Sequence, residues 1–241
     1  MSNVVLSQFA YEKIREMIRE SKLSAGMKVS ESKLANLLGV SRTPVREAIR
    51  QLQSEGLLYQ IPQSGTYVSR PGRREIAEIY DVRMALEDRA ILRGGPRLTH
   101  EQIDQLSQHY QRMHGIFVEF LESGKPTLQG TPLRSFLEAD MAFHLVIFEA
   151  ADNQTAIKIF LDVQMRNRGF GDQSHRRDEK HLRAVLHSHA AILRALQIQD
   201  IPEARLKMEE HLQNSLRDAL ENFDRLPLPP SRSTDHPDSV T

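Results

Sequence analysis

From residue 75 to residue 223 the apolar residues follow helical periodicity, and no stretch reads convincingly as a strand. A chain patterned this way can bury its apolar stripes only by packing helix on helix. The predicted helices cover 75–93, 99–123, 132–151, 154–168, 178–198 and 202–223. Breaks fall at "GGP" (94–96), "SGKPTLQGTP" (123–132), "DN" (152–153), "GFGD" (169–172) and "QDIP" (199–202). Six helices of this length predict an antiparallel all-α bundle. The three poor helix formers Gly94, Gly95 and Pro96 are expected to shorten or kink the first of them.

The front of the chain is patterned differently. "SQFAYEKIREMIRESK" (7–22) puts Phe9, Ala10, Ile14, Met17 and Ile18 on one helical stripe. "LSAGMKVS" reads as a loop. "SESKLANLLGV" starts at Ser30 as N-cap, packs Leu34, Leu37 and Leu38, and stops at Gly39. "SRTPVREAIRQLQSEG" then begins a further helix, capped by Ser41 or Thr43, with Pro44 in its first turn and Gly56 at its end. In "LLYQIPQSGTYVSR", two β-prone segments flank "PQSG", where Gly65 can take a positive φ. Helix, helix, turn, helix and hairpin in this order form a winged helix-turn-helix. The expected fold is mainly α. A winged helix-turn-helix covers 1–70, a linker 71–74 and a helical domain 75–225, and a disordered tail of 226–241 carries four of the eleven prolines.

Charge separates the two parts. The chain is neutral, with 32 Lys/Arg and 32 Asp/Glu, but residues 1–74 hold 12 and 6 of these, a net of +6, and residues 75–241 hold 20 and 26, a net of −6. Opposite signs fit two different partners, one of them polyanionic. With no Cys, thiolate metal sites and disulfides are excluded. Apolar runs such as "FHLVIF" are too short to span a bilayer, and the N-terminus has no signal-peptide pattern, so a cytoplasmic protein is expected.

Two constellations point to chemistry. On the helix from about 42 to 55, Val45, Ala48, Ile49 and Leu52 form the buried face. Arg42, Arg46 and Arg50 then line up beside it, pointing outward. Such a row suits a major groove, where Arg bonds guanine O6 and N7 or a phosphate. It also suits a plain solvated basic face with Glu47 nearby. In the helical part, Asp140 and His144 lie one turn apart in "EADMAFHLVIFEAADN", and a pair so placed can also serve as a local hydrogen bond. His189 shares a stripe with Ile192, Leu193 and Leu196, and His211 precedes Leu212. Brought together by neighbouring helices, one carboxylate and three imidazoles would suit Zn²⁺, Ni²⁺, Mn²⁺ or Fe²⁺ with coordination positions left open. His100, His109, His114, His175, His181 and His236 share no such pattern and read as surface or linker residues. Arg83 sits within the stripe Ile76, Ile79, Tyr80, Leu86 and Ala90, and a buried Arg needs an anion. That anion is either Glu87, four residues on, or another Glu, or else a carboxylate ligand that also reaches the metal.

"LANLLGVSRTPVREAIRQLQSEGLL" followed by "QSGTYV" closely resembles the DNA-binding domain of GntR-family bacterial transcription regulators, over roughly 7–70. That resemblance implies Arg42, Thr43 and Arg46 as DNA contacts, with Gly65 at the wing tip beside them. Arg50 is kept as a phosphate contact. Ser32 stands where some relatives carry a basic contact residue. The D-x₃-H pair and "SHAAILRALQIQDIPEARLKMEEHL" resemble the ligand domain of the FadR-type subfamily (the FCD domain), over about 75–223. Its metal-binding members use this Asp and these three His, and its effectors are typically small organic acids, which supports Arg83 as an effector clamp. The loop 169–181 and "RGGPR" at 93–97 depart from the usual pattern. The expected function is a homodimeric, non-enzymatic, DNA-binding transcription regulator, a repressor, that responds to a small carboxylate at a divalent transition metal ion and has no membrane partner. The alternatives are a regulator whose metal is purely structural and a metal-dependent hydrolase.

Overall fold

A computed structural model of the chain describes residues 3–19, 22–69, 72–168 and 177–225. The tail 226–241, His175, His236 and most of the departing loop, residues 169–176, lie outside the described residues. The chain divides into two compact units, one within Met1–Arg70 and one spanning Pro71–Asp224.

In the first unit, α1 (Asn3–Arg19), β1 (Lys28–Val29), α2 (Glu31–Leu38) and α3 (Arg42–Ser54) precede the hairpin β2 (Leu58–Ile61) and β3 (Gly65–Val68). α1 starts four residues earlier than expected and buries Ala10, Tyr11, Ile14 and Ile18. Phe9 is not core: it is 40% exposed, because five residues before Ile14 is about 140° around the helix. α2 is capped by Ser30, whose hydroxyl accepts from Lys33 N–H, and Gly39 closes it with φ 67°. Leu37 also departs from expectation, at 66% exposed. Its neighbours Leu34 and Ala35 are the buried residues of this short helix, and Leu37 lies two residues past Ala35, on the far side. α3 buries Val45, Ala48, Ile49 and Leu52 as the pattern requires. Ser41 occupies its N-cap with extended backbone but makes no side-chain cap bond.

The wing is a three-stranded antiparallel sheet in the order β1-β3-β2. β1 falls where the sequence predicts a loop, and it has only two residues, too short for any alternation to show. It pairs Lys28 with Tyr67 and Val29 with Thr66. The hairpin turn places Gln63 at φ 61° and Gly65 at φ 132°, the latter at the start of β3.

The second unit contains α4 (Arg73–Gly94), a 3-10 turn (Gly95–Arg97), α5 (His100–Glu122), α6 (Gly130–Ala150), α7 (Gln154–Arg168), α8 (Glu179–Gln197) and α9 (Ile201–Arg225). No strand occurs among its described residues. Thr99 and Gln102 form a capping box at the start of α5, and Asp178 caps α8. α6 packs against α4, α5 and α7, and α5 packs against α8. The central core gathers Ile91, Phe143, Phe148, Phe160, Ile192 and Leu212.

The glycine run does end α4, but it also has a second role. A Cβ built on Gly94 would stand 2.5 Å from the Ile147 carbonyl oxygen and 2.8 Å from the Ala151 nitrogen. Only glycine lets the end of α4 sit directly against the backbone of α6. That contact joins the helix carrying Arg83 and Glu87 to the helix carrying Asp140 and His144.

Candidate nucleic-acid interface and metal centre

The exposed start of α3 carries the predicted reading residues. Arg42, Thr43, Arg46 and Arg50 are all exposed, with the arginines in a row beside the buried Val45–Ala48–Leu52 face. Arg42 and Arg46 are not free cations. Glu31, at the first position of α2, accepts from Arg46 Nε and Nη2 at 3.2 and 3.0 Å and from Arg42 Nη2 at 3.2 Å. The hydrogen bond from Arg46 and then that from Arg42 outweigh partial burial and hold the Glu31 carboxyl below its ordinary pKa. Arg50 makes no ion pair among the described residues. On the wing, a Cβ on Gly65 would stand 2.7 Å from Lys28 Cε, so the Lys28 side chain lies across the glycine. The sequence offered no sign of this basic group at the wing tip, because β1 is too short to read.

In the helical unit Asp140, His144, His189 and His211 converge. Each offers one ligand atom, and these atoms all lie within 4.8 Å of one another. The three imidazoles are packed ring to ring, with centroids 5.3 Å apart for His144 and His189, 5.4 Å for His144 and His211, and 4.7 Å for His189 and His211. All three are buried, while Asp140 is a quarter exposed (25%) and so forms the open side of the cluster.

The imidazoles are oriented from behind. His189 Nδ1 lies 2.9 Å from the Val185 carbonyl oxygen, so it carries the proton and leaves the Nε2 lone pair toward the cluster. His144 Nδ1 lies 2.6 Å from Glu87 Oε2, a close ionic contact that falls short of good hydrogen-bond geometry. A proton held there likewise leaves Nε2 for the cluster. These are the outer partners that metal-bound histidines ordinarily have. Burial lowers the pKa of His189, and burial together with His189 and His144 lowers that of His211 well below the usual value, which favours the neutral ring that a metal ligand needs. Burial would also lower His144, but the Glu87 carboxylate outweighs it and raises the pKa.

Whether these residues suit a metal is testable on the orphaned atoms. His144 Nε2 and His189 Nε2 are buried with no hydrogen-bond partner among the described residues, although His189 Nε2 is 3.3 Å from Asp140 Oδ1. Buried nitrogens without partners are costly, and a cation accepting their lone pairs would remove that cost. Imidazole and carboxylate donors without thiolate suit a borderline divalent transition ion. The donor set fits.

Arg83 is buried, as its place in the stripe requires, and its Nε donates to Glu87 Oε1 at 3.0 Å. Its guanidinium lies 5.0 Å over the Tyr80 ring. Burial acts first to raise the Glu87 pKa, but His144 and Arg83 more than offset it and bring it to about 2. Glu87 therefore links Arg83 to His144, a role beyond the ion pair with Arg83. A glutamate on the apolar stripe was the available signal. His181, expected on the surface, is half-buried and bonds Asp218 through Nδ1 at 2.8 Å, joining α8 to α9.

Comparison with known proteins adds to this geometry. Residues 6–68 match the family described as bacterial regulatory proteins, gntR family, and residues 78–214 match the FCD domain. The HTH-type transcriptional repressor RspR of Escherichia coli K12 is 28% identical over 216 residues, which is 86% of each chain. An uncharacterized HTH-type transcriptional regulator of Agrobacterium vitis is 40% identical over 84 residues, 35% of this chain and 49% of that protein. The solved structure of E. coli McbR/YncC shares the fold with a TM-score of 0.73 at 20% identity, covering 92% of this chain and 99% of that one. With a winged helix-turn-helix ahead of an all-α bundle, and with both halves matched in that order, the chain belongs to the gntR family of bacterial regulatory proteins and carries an FCD domain.

Proposed function

We propose that this protein is a cytoplasmic, homodimeric transcriptional repressor whose affinity for operator DNA is set by a small carboxylate bound at a divalent transition metal ion. Arg42, Thr43 and Arg46 read bases in the major groove from the start of α3, Arg50 contacts a phosphate, and the wing with Gly65 approaches the backbone. A dimer suits a palindromic operator with half-sites about one helical turn apart or closer.

Asp140, His144, His189 and His211 hold the ion. When bound, the ion supplies a Lewis-acid anchor for an oxygen of the effector. Arg83 spends its Nε on Glu87, and its Nη groups bond no described residue, so the guanidinium fork is available to a carboxylate. Effector occupancy then favours one arrangement of the bundle over another and shifts operator affinity by the difference in binding free energy. The observation that carries this reading is the convergence of four thiol-free donors within 4.8 Å, with the Arg83–Glu87 pair in contact with one of them.

The test is thermal shift with a panel of organic acids, run on metal-loaded and chelated protein, followed by operator titration with any acid that raises the melting temperature. An acid that stabilises only the metal-loaded form and changes operator affinity is the expected result. A large loss of stability on chelation with no response to any acid would instead make the metal structural and remove the effector from the proposal.

A further inference from the structure

Arg42 and Arg46 stand one turn apart at the exposed start of α3, and two like charges so placed repel each other. Glu31 comes from a different helix, its start set by the Ser30 cap. Its carboxylate contacts both guanidinium groups, and it is the more buried partner, at 28% exposure against 62% for Arg42 and 51% for Arg46. The contact to Arg46 is two-pronged. Oε1 and Oε2 lie 3.2 and 3.3 Å from Nε, and Oε2 lies 3.0 Å from Nη2. The side of the guanidinium bearing Nε is therefore occupied, and the end bearing Nη1 and the second Nη2 proton is left free by Glu31 on a side chain that is 51% exposed. That end is a bidentate match for guanine O6 and N7.

We infer that Glu31 is a positioning residue for sequence reading: it holds the Nε side of Arg46, and Arg42 beside it, so that the outer edge of Arg46 meets a base. This rests on the DNA-binding reading above. Glu31 also reduces the charge of the three-residue cluster from two positive charges to one. Sequence-independent attraction to phosphate scales with the number of free cations, whereas base reading depends on orientation. Glu31 therefore weakens binding to any DNA while favouring binding to the right DNA. A purely structural role exists as an alternative, since an acidic residue at the start of α2 also complements the helix dipole. That role would alter stability alone.

The experiment uses the full chain and two probes: duplexes selected by the wild-type protein from a random library, and a scrambled duplex of the same composition. Affinity is measured by fluorescence anisotropy over a range of KCl concentrations. Glu31→Gln keeps the side-chain shape and removes the charge. It is expected to tighten binding to the scrambled duplex and to lower the selected-to-scrambled affinity ratio by roughly tenfold. The slope of log affinity against log salt should steepen by about 0.9 for the one cation released. In an Arg46→Ala background the same substitution should lower the ratio much less than tenfold, since only Arg42 is then left for Glu31 to hold. A folded Glu31→Gln protein with the wild-type ratio and slope overturns the inference. If that variant does not fold, Glu31→Asp, which keeps the charge at the helix start but is one methylene short, decides in the same assay: loss of ratio supports the inference and an intact ratio overturns it. Failure of the wild-type protein to select any sequence is a separate outcome, which defeats the DNA-binding reading itself.

Discussion

Replacing Glu87 by glutamine removes one charge from a row of three buried groups. Arg83, Glu87 and His144 are 4%, 1% and 1% exposed, so solvent screens the loss of the carboxylate only weakly. Glutamine has nearly the same volume, and the cost is therefore electrostatic, not a cavity. Removing one partner of a buried ion pair leaves the other charge uncompensated, which costs about 3–5 kcal/mol. That is a third or more of the stability of many domains, about 5–15 kcal/mol. For a unit of this size it lowers the melting transition by roughly 6–20 °C. Because the two units can melt separately, the assay is amide hydrogen exchange of the α4 and α6 peptides in chelator-treated full-length protein. Their opening free energy should fall by the stated amount. Replacing both Arg83 and Glu87 by methionine should recover part of the loss, since the stranded charge then leaves with its partner. His144 also loses the group behind its ring, so metal affinity should drop by about 10–100-fold. Protection in α4 and α6 within about 1 kcal/mol of wild type, on a scale where the buried pair should cost several times that, would refute the electrostatic account of this row.

Three further outcomes follow from separate parts of the molecule. Arg46→Ala should weaken binding to selected duplexes by about 1–3 kcal/mol at fixed salt and relax the preference at one base position, read by competition titration. His211→Ala should reduce the metal content of purified protein, measured by elemental analysis; a full complement would remove His211 from the ligand set. Gly94→Ala should destabilise the helical unit by about 1–3 kcal/mol, because the added methyl meets backbone atoms of α6 at 2.5 and 2.8 Å that cannot rotate away; denaturant unfolding measures it, and a neutral result would mean the two helices part easily.

These sites differ in how far the sequence reveals them, and the reason is periodicity. A helical stripe is a one-dimensional pattern, so membership in it is legible. Ile76, Tyr80, Arg83, Glu87 and Ala90 recur at three- and four-residue steps, and all are buried. The burial of a charged pair four residues apart was thus readable, as was the placement of Asp140 over His144 on α6. What a stripe residue meets across the interface is not periodic. Glu87 faces His144 in a register fixed partly by the methyl-sized gap at Gly94, and in the sequence that residue reads only as a helix breaker. Phe9 and Leu37 are apolar and sit next to true core positions, but each lies on the wrong side of its helix for burial. Glu31 lies 15 residues before Arg46, and the two meet because α2 and α3 cross at the turn closed by Gly39. The same turn that delivers α3 therefore brings its counter-charge with it. Residue type and spacing locate the candidate contacts to DNA and metal, whereas the groups behind them that come from other helices depend on helix crossings: Glu31 lies against Arg42 and Arg46, and Glu87 against His144.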